Sequence, residues 1–131
     1  MHELSLMEAV REQALEQASR HGAGRIVAIT LRIGSLAGVE PEALRFAFTV
    51  VMADTMAEGA RLVIEAVPAV CFCSPCGQPF PAPGGNCECP RCGAISLELL
   101  QGRELELRSL EVEEGSGQPV VVSESSAEDF P

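Results

Sequence analysis

The chain has no lysine, tryptophan or tyrosine, and it is poor in positive charge. Nine arginines stand against 19 acidic residues among 131, so the formal net charge at pH 7 is −10. A protein that binds nucleic acid normally carries a basic face that neutralises phosphates, and docking on an anionic membrane requires the same sign of charge. The composition therefore argues against nucleic acids and membrane surfaces as partners.

Two kinds of targeting segment are also missing. Glu3 and Glu8 stand where the basic region of an export signal would lie. No stretch approaches the roughly 18 apolar residues that cross a bilayer. We therefore expect a cytoplasmic protein whose thiols stay reduced, and this expectation disfavours a disulfide framework built from the six cysteines.

Four of the six cysteines form a duplicated motif in the middle of the chain. Cys73 and Cys76 make one C-x-x-C-Gly turn, Cys89 and Cys92 make a second, and twelve residues separate the two turns. Each turn directs two thiolates to one point, and two turns make the tetrahedral thiolate cage of closed zinc sites. The pattern predicts a structural zinc site. A rubredoxin-like electron carrier would place iron in the same cage, and ferric tetrathiolate is red whereas the zinc site is colourless.

The other two cysteines, Cys71 and Cys87, each precede a turn by two residues. In an extended segment they share a face with Cys73 and Cys89. Three interpretations are open: alternative ligands, a second site for a soft metal, or small buried apolar residues. We favour the last, because free cysteine usually behaves as a small apolar residue.

Hydrophobic periodicity predicts helices and strands on both sides of the cysteines. A capping box at Ser5 and Glu8 predicts the start of a first helix that ends near Gly22, and Pro41 suits the first turn of a second helix. Strands are predicted over residues 25–33, 61–67, 95–100 and 103–113. The apolar phase of the last strand slips near Arg108, which suggests a bulge or a crossing between domains.

These elements predict an α+β fold with an insertion. Two helices and three strands form a discontinuous domain over residues 1–67 and 101–114, and a zinc-ribbon-like module is inserted over residues 68–100. The module has few apolar residues, so the metal must supply its stability. Residues 115–131 are rich in Ser, Glu, Gly and Pro, and we expect them to be a disordered acidic tail.

The N-terminus offers a second candidate metal site. His2 has a chelating neighbour that no internal histidine has, namely the free α-amine of Met1. The amine, an intervening amide nitrogen and the imidazole can close fused chelate rings, and such nitrogen-rich planar ligation suits Ni(II) or Cu(II) better than zinc. A histidine in a frayed terminus is usually only solvated. Here the capping box at Ser5 fixes the helix start three residues downstream, which favours a site.

Several segments together carry a resemblance to a known family. They are residues 1–5, which read Met-His-Glu-Leu-Ser, residues 32–34, 39–48 and 58–60, and the paired C-x-x-C turns. Over residues 1 to about 114 the sequence resembles the HypA/HybF family of nickel metallochaperones, which act in [NiFe]-hydrogenase maturation.

The resemblance implies a nickel-binding α+β domain that carries an inserted zinc domain. It implies that nickel binds through His2 and backbone nitrogens of the first residues, such as the Met1 amine, with Glu3 beside them. It implies that zinc is held by the four turn cysteines, Cys73, Cys76, Cys89 and Cys92. The expected partners are the GTPase HypB, the [NiFe]-hydrogenase large-subunit precursor and, in some members, urease maturation proteins.

A hydrolytic zinc enzyme is the remaining alternative. It needs a zinc ion with an open position and a nearby general base. Four thiolates close the site, and the sequence has no helix of the H-x-x-E type. We therefore expect no enzymatic activity.

Overall fold

The computed structural model describes residues 3–114 and 119–123, and the chain divides into two compact units. The helical unit comprises residues 1–32, 39–65 and 106–131, and the cysteine unit comprises residues 33–38 and 66–105. The predicted α+β class, with two α-helices in the described residues, is confirmed. The cysteine unit is wider than the predicted insertion over residues 68–100.

The first helix, α1, spans Glu3–Arg20 and begins two residues before the predicted capping box. Its first residue is held by a hydrogen bond in which the backbone amide of Glu40 donates to Oε2 of Glu3 at 3.0 Å. Gly22 follows the helix with φ of +65°, so the predicted stop is confirmed. The buried face of the helix consists of Leu6, Met7, Val10, Ala14 and Ala18, and the last four recur at the helical spacing that predicts the helix.

The second helix, α2, spans Pro41–Val51, as Pro41 predicts. Glu40 caps it, and its carboxylate accepts a hydrogen bond from the amide of Glu42 at 3.3 Å. The helix packs against α1. Its buried face consists of Leu44, Ala47, Phe48 and Val51, which recur at the helical spacing that predicts the helix. No helix in the described part of the chain is long and apolar enough to cross a membrane.

A four-stranded sheet completes the helical unit, in the order β2-β1-β6-β7. The strands are β1 (Ala23–Gly34), β2 (Arg61–Val67), β6 (Leu105–Glu114) and β7 (Pro119–Ser123). Burial along β6 follows the predicted phase slip, with Leu105 and Leu107 buried before Arg108 and Leu110 and Val112 buried after it. Glu106 is also buried, and its carboxylate accepts a hydrogen bond from Nη1 of Arg32 at 3.0 Å. A buried charge needs such a partner.

The prediction of a disordered tail is wrong for residues 119–123. These residues form β7, which pairs antiparallel with β6 so that Val120 lies opposite Val112 and Val122 opposite Leu110. The sheet therefore has four strands where three were predicted. Three consecutive valines are strong strand formers, and they outweigh the polar composition around them. The rest of the predicted tail, residues 115–118 and 124–131, lies outside the described residues.

The cysteine unit contains a second, three-stranded sheet in the order β4-β3-β5. Its strands are β3 (Val70–Cys73), β4 (Gln78–Pro81) and β5 (Leu99–Gln101), and both neighbours run antiparallel to β3. The strand predicted over residues 95–100 is regular only at its end. Before β5 the Ser96 hydroxyl donates to the Phe72 carbonyl at 2.5 Å, while the Phe72 amide donates to the Glu98 carbonyl at 2.9 Å.

Gly34 explains why residues 33–38 belong to the cysteine unit. Its amide donates to the carbonyl of Glu104 at 2.8 Å, and the Leu36 amide donates to the carbonyl of Gly102 at 2.7 Å. A Cβ atom on Gly34 would overlap the carbonyl group of Gly102 and the amide nitrogen of Arg103. These are backbone atoms, which cannot turn aside as a flexible side chain can. The close approach therefore requires glycine at position 34.

The Gly34→Ala substitution is expected to destabilise the protein by roughly 3 kcal/mol, at the upper end of the cost of overpacking. Gly24→Ala is the matched control, because it lies in the same strand and a Cβ there would meet nothing within 4 Å. Urea unfolding of the two variants beside the wild type measures the difference. Equal midpoints for the two variants would show that the close approach at Gly34 relaxes at little cost.

Candidate metal centre

The fold brings together the four cysteines that the duplicated motif singles out. The Sγ atoms of Cys73, Cys76, Cys89 and Cys92 all lie within 4.8 Å of one another. The Sγ atoms of Cys73 and Cys92 are 3.5 Å apart. In a tetrahedral zinc site with Zn–S bonds of about 2.3 Å, the sulfurs lie about 3.8 Å apart. The size and donor set of the cluster therefore fit one zinc ion.

The same backbone turn positions both pairs of ligands. In the first, the Gly77 amide donates to the Cys73 carbonyl at 2.8 Å, and in the second the Gly93 amide donates to the Cys89 carbonyl at 2.8 Å. Gly77 has φ of +68° and Gly93 has φ of +76°. A side chain is strained in this left-handed conformation, which is why each C-x-x-C pair is followed by glycine.

The four sulfurs differ in their access to solvent. Cys73 and Cys89, the first cysteines of the two turns, are buried, whereas Cys76 is half-buried and Cys92 is exposed. The buried core around them is small, and it consists of Ala69, Cys71, Cys73, Phe80, Ala82 and Cys89. Half of this core is cysteine, so hydrophobic burial alone provides little stability for the cysteine unit.

Without metal, two of the clustered thiols differ strongly in acidity. The Cys76 backbone amide lowers the pKa of Cys73. Burial and the other three thiols of the cluster together outweigh this effect and raise the pKa to about 12. Burial raises the pKa of Cys89, but the backbone amides of Cys92 and Arg91, together with neighbouring thiols, lower it to about 6. Metal binding requires thiolates. At neutral pH, Cys89 is therefore ready to bind, whereas Cys73 must release a proton.

These pKa values predict how zinc affinity depends on pH. Each thiol that must lose a proton weakens the apparent affinity by about tenfold for every pH unit of acidification. Cys73 has this effect throughout the neutral range, whereas Cys89 adds to it only below its pKa of about 6. The plot of log Kd against pH should therefore steepen by about one unit below pH 6.

A competition titration against a chelator of known proton affinity, run from about pH 7.5 to pH 5, measures this slope. A slope that stays constant through that range would show that Cys89 is not held as a thiolate in the metal-free protein.

The two additional cysteines do not behave as the sequence predicts. Cys71 and Cys87 are joined in a disulfide, so their interpretation as free cysteines is wrong, whereas the burial that it expects is confirmed for Cys71. Their Cα atoms are 5.9 Å apart, within the ordinary range for a disulfide. Cys71 is fully buried, and Cys87 packs half-buried against the same small core. The sequence feature that could have indicated this pairing is the C-x-C spacing. It places Cys71 on the same face as Cys73 and Cys87 on the same face as Cys89.

The candidate nickel site falls at the edge of the described chain. Met1 and His2 lie outside the described residues. Glu3 is the first residue of α1, and its carboxylate accepts the hydrogen bond from the Glu40 amide. Beside it lies a groove of about 310 Å³, lined by Leu4 of α1 and by apolar side chains of α2, among which Phe46 and Val50 are exposed.

Comparison with known proteins agrees with this architecture. The family described as "Hydrogenase/urease nickel incorporation, metallochaperone, hypA" matches residues 1–112. Over 112 residues the chain is 47% identical to the hydrogenase maturation factor HypA of a Picosynechococcus strain and 53% identical to that of a Synechococcus strain. Each alignment covers 86% of this chain and 99% of the relative.

A solved structure has the same fold. The solution structure of the Ni metallochaperone HypA from Helicobacter pylori superposes with a TM-score of 0.63 at 24% identity, over 86% of this chain and 97% of that one. The family match extends over the N-terminal motif and both cysteine turns. The protein is therefore a non-enzymatic metallochaperone with a four-cysteine site, and it belongs to the HypA family of nickel metallochaperones for hydrogenase maturation.

Proposed function

We propose that this protein binds Ni(II) at its N-terminus and delivers it, with the GTPase HypB, to the [NiFe]-hydrogenase large-subunit precursor in the cytoplasm. One observation carries the proposal: the family match spans residues 1–112. It therefore includes the Met-His-Glu terminus as well as both cysteine turns. The family description also names urease, so urease maturation proteins are proposed as further partners.

The four-cysteine cluster is proposed to hold structural zinc. A bound zinc ion would supply a permanent cross-link between the two C-x-x-C turns. The proposal is supported by the spacing of the sulfurs and by the small core around them. Four thiolates leave no open position for a substrate. We therefore assign to this cluster the folding of the cysteine unit and no part in nickel transfer chemistry.

The nickel site is proposed to use the Met1 amine, the His2 imidazole and adjacent amide nitrogens. A single imidazole is a weak monodentate ligand, whereas fused chelate rings hold one metal through several nitrogens. The hydrogen bond between Glu3 and the Glu40 amide supports this site, because it anchors the residue next to His2 to the helical unit. Chain termini are in general accessible, which suits the metal exchange that a delivery protein requires.

Glu3 is proposed to act beside His2 in nickel binding, and its hydrogen bond to Glu40 offers a way to test this role. Glu3→Gln retains an oxygen that can accept from the Glu40 amide, but it removes the carboxylate charge. Weaker nickel binding in this variant, with unchanged thermal stability, would assign the carboxylate to the metal. Unchanged nickel binding would limit Glu3 to anchoring the helix.

The GTPase HypB is proposed to dock on the helical unit. Exposed apolar patches commonly mark protein interfaces, and Phe46 on α2 is 73% exposed. The net charge of −10 argues against nucleic acid as a competing partner.

A pull-down with HypB tests the partner and the surface together. Phe46→Ser should lose the GTPase, whereas Leu97→Ser, at a fully exposed apolar residue of the cysteine unit, should retain it. Metal analysis of the tag-free protein should give about one zinc per chain as isolated and one nickel after loading. Failure of the wild type to bind nickel, or retention of HypB by Phe46→Ser with loss in Leu97→Ser, would overturn the assignment concerned.

A further inference from the structure

The cysteine unit contains two neighbouring pairs of cysteines, Cys71 with Cys87 and Cys73 with Cys89. The proposed zinc site uses only the second pair. Along β3, Cys71 and Cys73 are both buried and share one face of the strand. Opposite them, Cys87 and Cys89 flank Glu88, which forms a bridge with Ile95. The same spacing of two thus occurs in both halves of the duplicated motif.

Backbone hydrogen bonds fix the second half as firmly as β3 fixes the first. The Cys89 amide donates to the Ala94 carbonyl at 2.8 Å, and the Ser96 amide donates to the Cys87 carbonyl at 2.7 Å. Any arrangement that brings Cys73 close to Cys89 and Cys92 therefore also brings Cys71 to Cys87. The disulfide follows from the same docking that assembles the cluster.

We propose that Cys71 and Cys87 form a redox-reversible disulfide that closes a second link across the zinc unit. Disulfides in a reducing compartment are usually transient or redox-sensing, which favours a reversible bond over a permanent one. The oxidant is a small-molecule disulfide such as oxidised glutathione, and the reductant is a dithiol. The effect of the disulfide on zinc retention, argued below, rests on the proposed zinc site. The formation of the disulfide does not.

The exchange proceeds in two balanced steps. The Cys87 thiolate attacks oxidised glutathione, forms a mixed disulfide and releases one glutathione thiolate. The Cys71 thiolate then attacks the Cys87 sulfur, forms the Cys71–Cys87 bond and releases the second glutathione. Two cysteine thiols have lost two electrons and two protons, and one oxidised glutathione has become two reduced molecules. A dithiol reverses both steps.

Burial gives the two sulfurs different parts in this exchange. Cys71 has no exposed surface, whereas Cys87 is only half-buried. An external disulfide therefore reaches Cys87 first, and Cys71 resolves the mixed disulfide from within the core.

The consequence of the bond concerns zinc retention. The disulfide joins residues that are 16 positions apart in the sequence. Zinc bound by the two C-x-x-C turns would close nearly the same loop. A loop that is already closed loses less conformational entropy when the four thiolates gather on zinc. The oxidised protein should therefore retain zinc against a chelator when the reduced protein loses it.

Counting thiols tests the bond itself. The zinc-loaded protein is reduced, freed of reductant, incubated with oxidised glutathione, then denatured with a chelator and iodoacetamide and weighed by mass spectrometry. We expect four alkylated cysteines after oxidation and six before it. Any other count after oxidation overturns the proposal: six means that no disulfide forms, five that a mixed disulfide is not resolved, and fewer than four that cluster thiols are oxidised as well. This count involves no nickel, so it stands whether or not the proposed nickel function does.

Single substitutions test the order of the exchange. Cys71→Ser should keep one glutathione on Cys87, because the resolving thiol is gone. Cys87→Ser should leave Cys71 unmodified. Glutathione on Cys71 in the latter variant would overturn the assigned roles.

Zinc release to EDTA tests the consequence. Oxidation should slow release from the wild type by about tenfold or more and should leave the rate in the double variant Cys71→Ser/Cys87→Ser unchanged. Equal release rates for oxidised and reduced wild type would overturn the proposed link to zinc retention.

Discussion

Nickel binding should be lost in the His2→Ala variant while zinc content and fold are retained. His2 supplies the imidazole that completes the chelate with the Met1 amine and the adjacent amide nitrogens. Loss of a partner outside the ligand set typically costs 10- to 100-fold in metal affinity, so loss of a ligand should exceed about 100-fold. Isothermal titration of tag-free protein with Ni(II) measures the effect, and zinc analysis and circular dichroism check the rest of the molecule.

His21 provides the matched control for His2. It is the other histidine of the chain, it is exposed after the end of α1, and its Nδ1 lies 2.9 Å from the carbonyl oxygen of Gln17. His21→Ala should bind nickel as the wild type does. Loss of nickel in both variants would place the site elsewhere or distribute it between the two histidines.

An N-terminal extension should weaken nickel binding nearly as much as His2→Ala, because it converts the Met1 amine into an amide. The amine and imidazole bind only when deprotonated, so affinity should fall as pH drops from about 8 to about 6, the range of their reference pKa values. An extended protein that binds nickel as tightly as the native one, with an extension shown not to ligate, would exclude the amine as a ligand.

The elements with strong periodicity could be predicted from the sequence with good bounds. Pro41 gave the start of α2, the burial of both helical stripes followed the spacing of their apolar residues, and β2 has the predicted bounds. The start of α1 at Glu3 was missed because it depends on a hydrogen bond to Glu40, 37 residues away. Local capping rules contain no information about such a contact.

The limits of the cysteine unit depend on tertiary packing in the same way. Gly34 closes β1 in the sequence, and nothing local indicates that its backbone meets Gly102. The strand β7 was missed for a different reason. Average composition over residues 115–131 hid a run of three valines that has a ready partner in β6.

The candidate metal centre could also be predicted only in part. Duplicated C-x-x-C-Gly turns were sufficient to select the four clustered cysteines, because the turn itself fixes the direction of both thiols. The C-x-C spacing placed Cys71 and Cys87 on the correct face, but the reducing compartment expected for the chain led to the interpretation as free thiols. Which of two adjacent sulfur pairs becomes covalently linked depends on distances that spacing alone does not determine.

Cys89→Ser is expected to remove zinc and unfold the cysteine unit while the helical unit stays folded. Cys89 is buried in the small core, and the backbone amides of Cys92 and Arg91 help to lower the pKa of its thiol to about 6. Serine keeps nearly the same volume but is a poor zinc ligand, so affinity should fall more than about 100-fold. The residual core, largely cysteine and alanine around Phe80, cannot compensate for that loss.

Circular dichroism and hydrogen exchange distinguish the two units in this experiment. Both described α-helices belong to the helical unit, so the helical signal should persist. The amides of Gly77 and Gly93, which are hydrogen-bonded within the two turns, should lose protection against exchange.

The double variant Cys71→Ser/Cys87→Ser is the matched control for this prediction, because it makes the same chemical change at the two cysteines that lie two residues before Cys73 and Cys89. It should retain about one zinc per chain under reducing conditions, since the four cluster thiolates remain. Full zinc occupancy in Cys89→Ser, or zinc loss in the double variant, would show that a different set of four sulfurs holds the metal. The Cys71–Cys87 disulfide and the four cluster cysteines close nearly the same loop of the chain. Comparing the two variants therefore separates the sulfurs that bind zinc from the disulfide beside them.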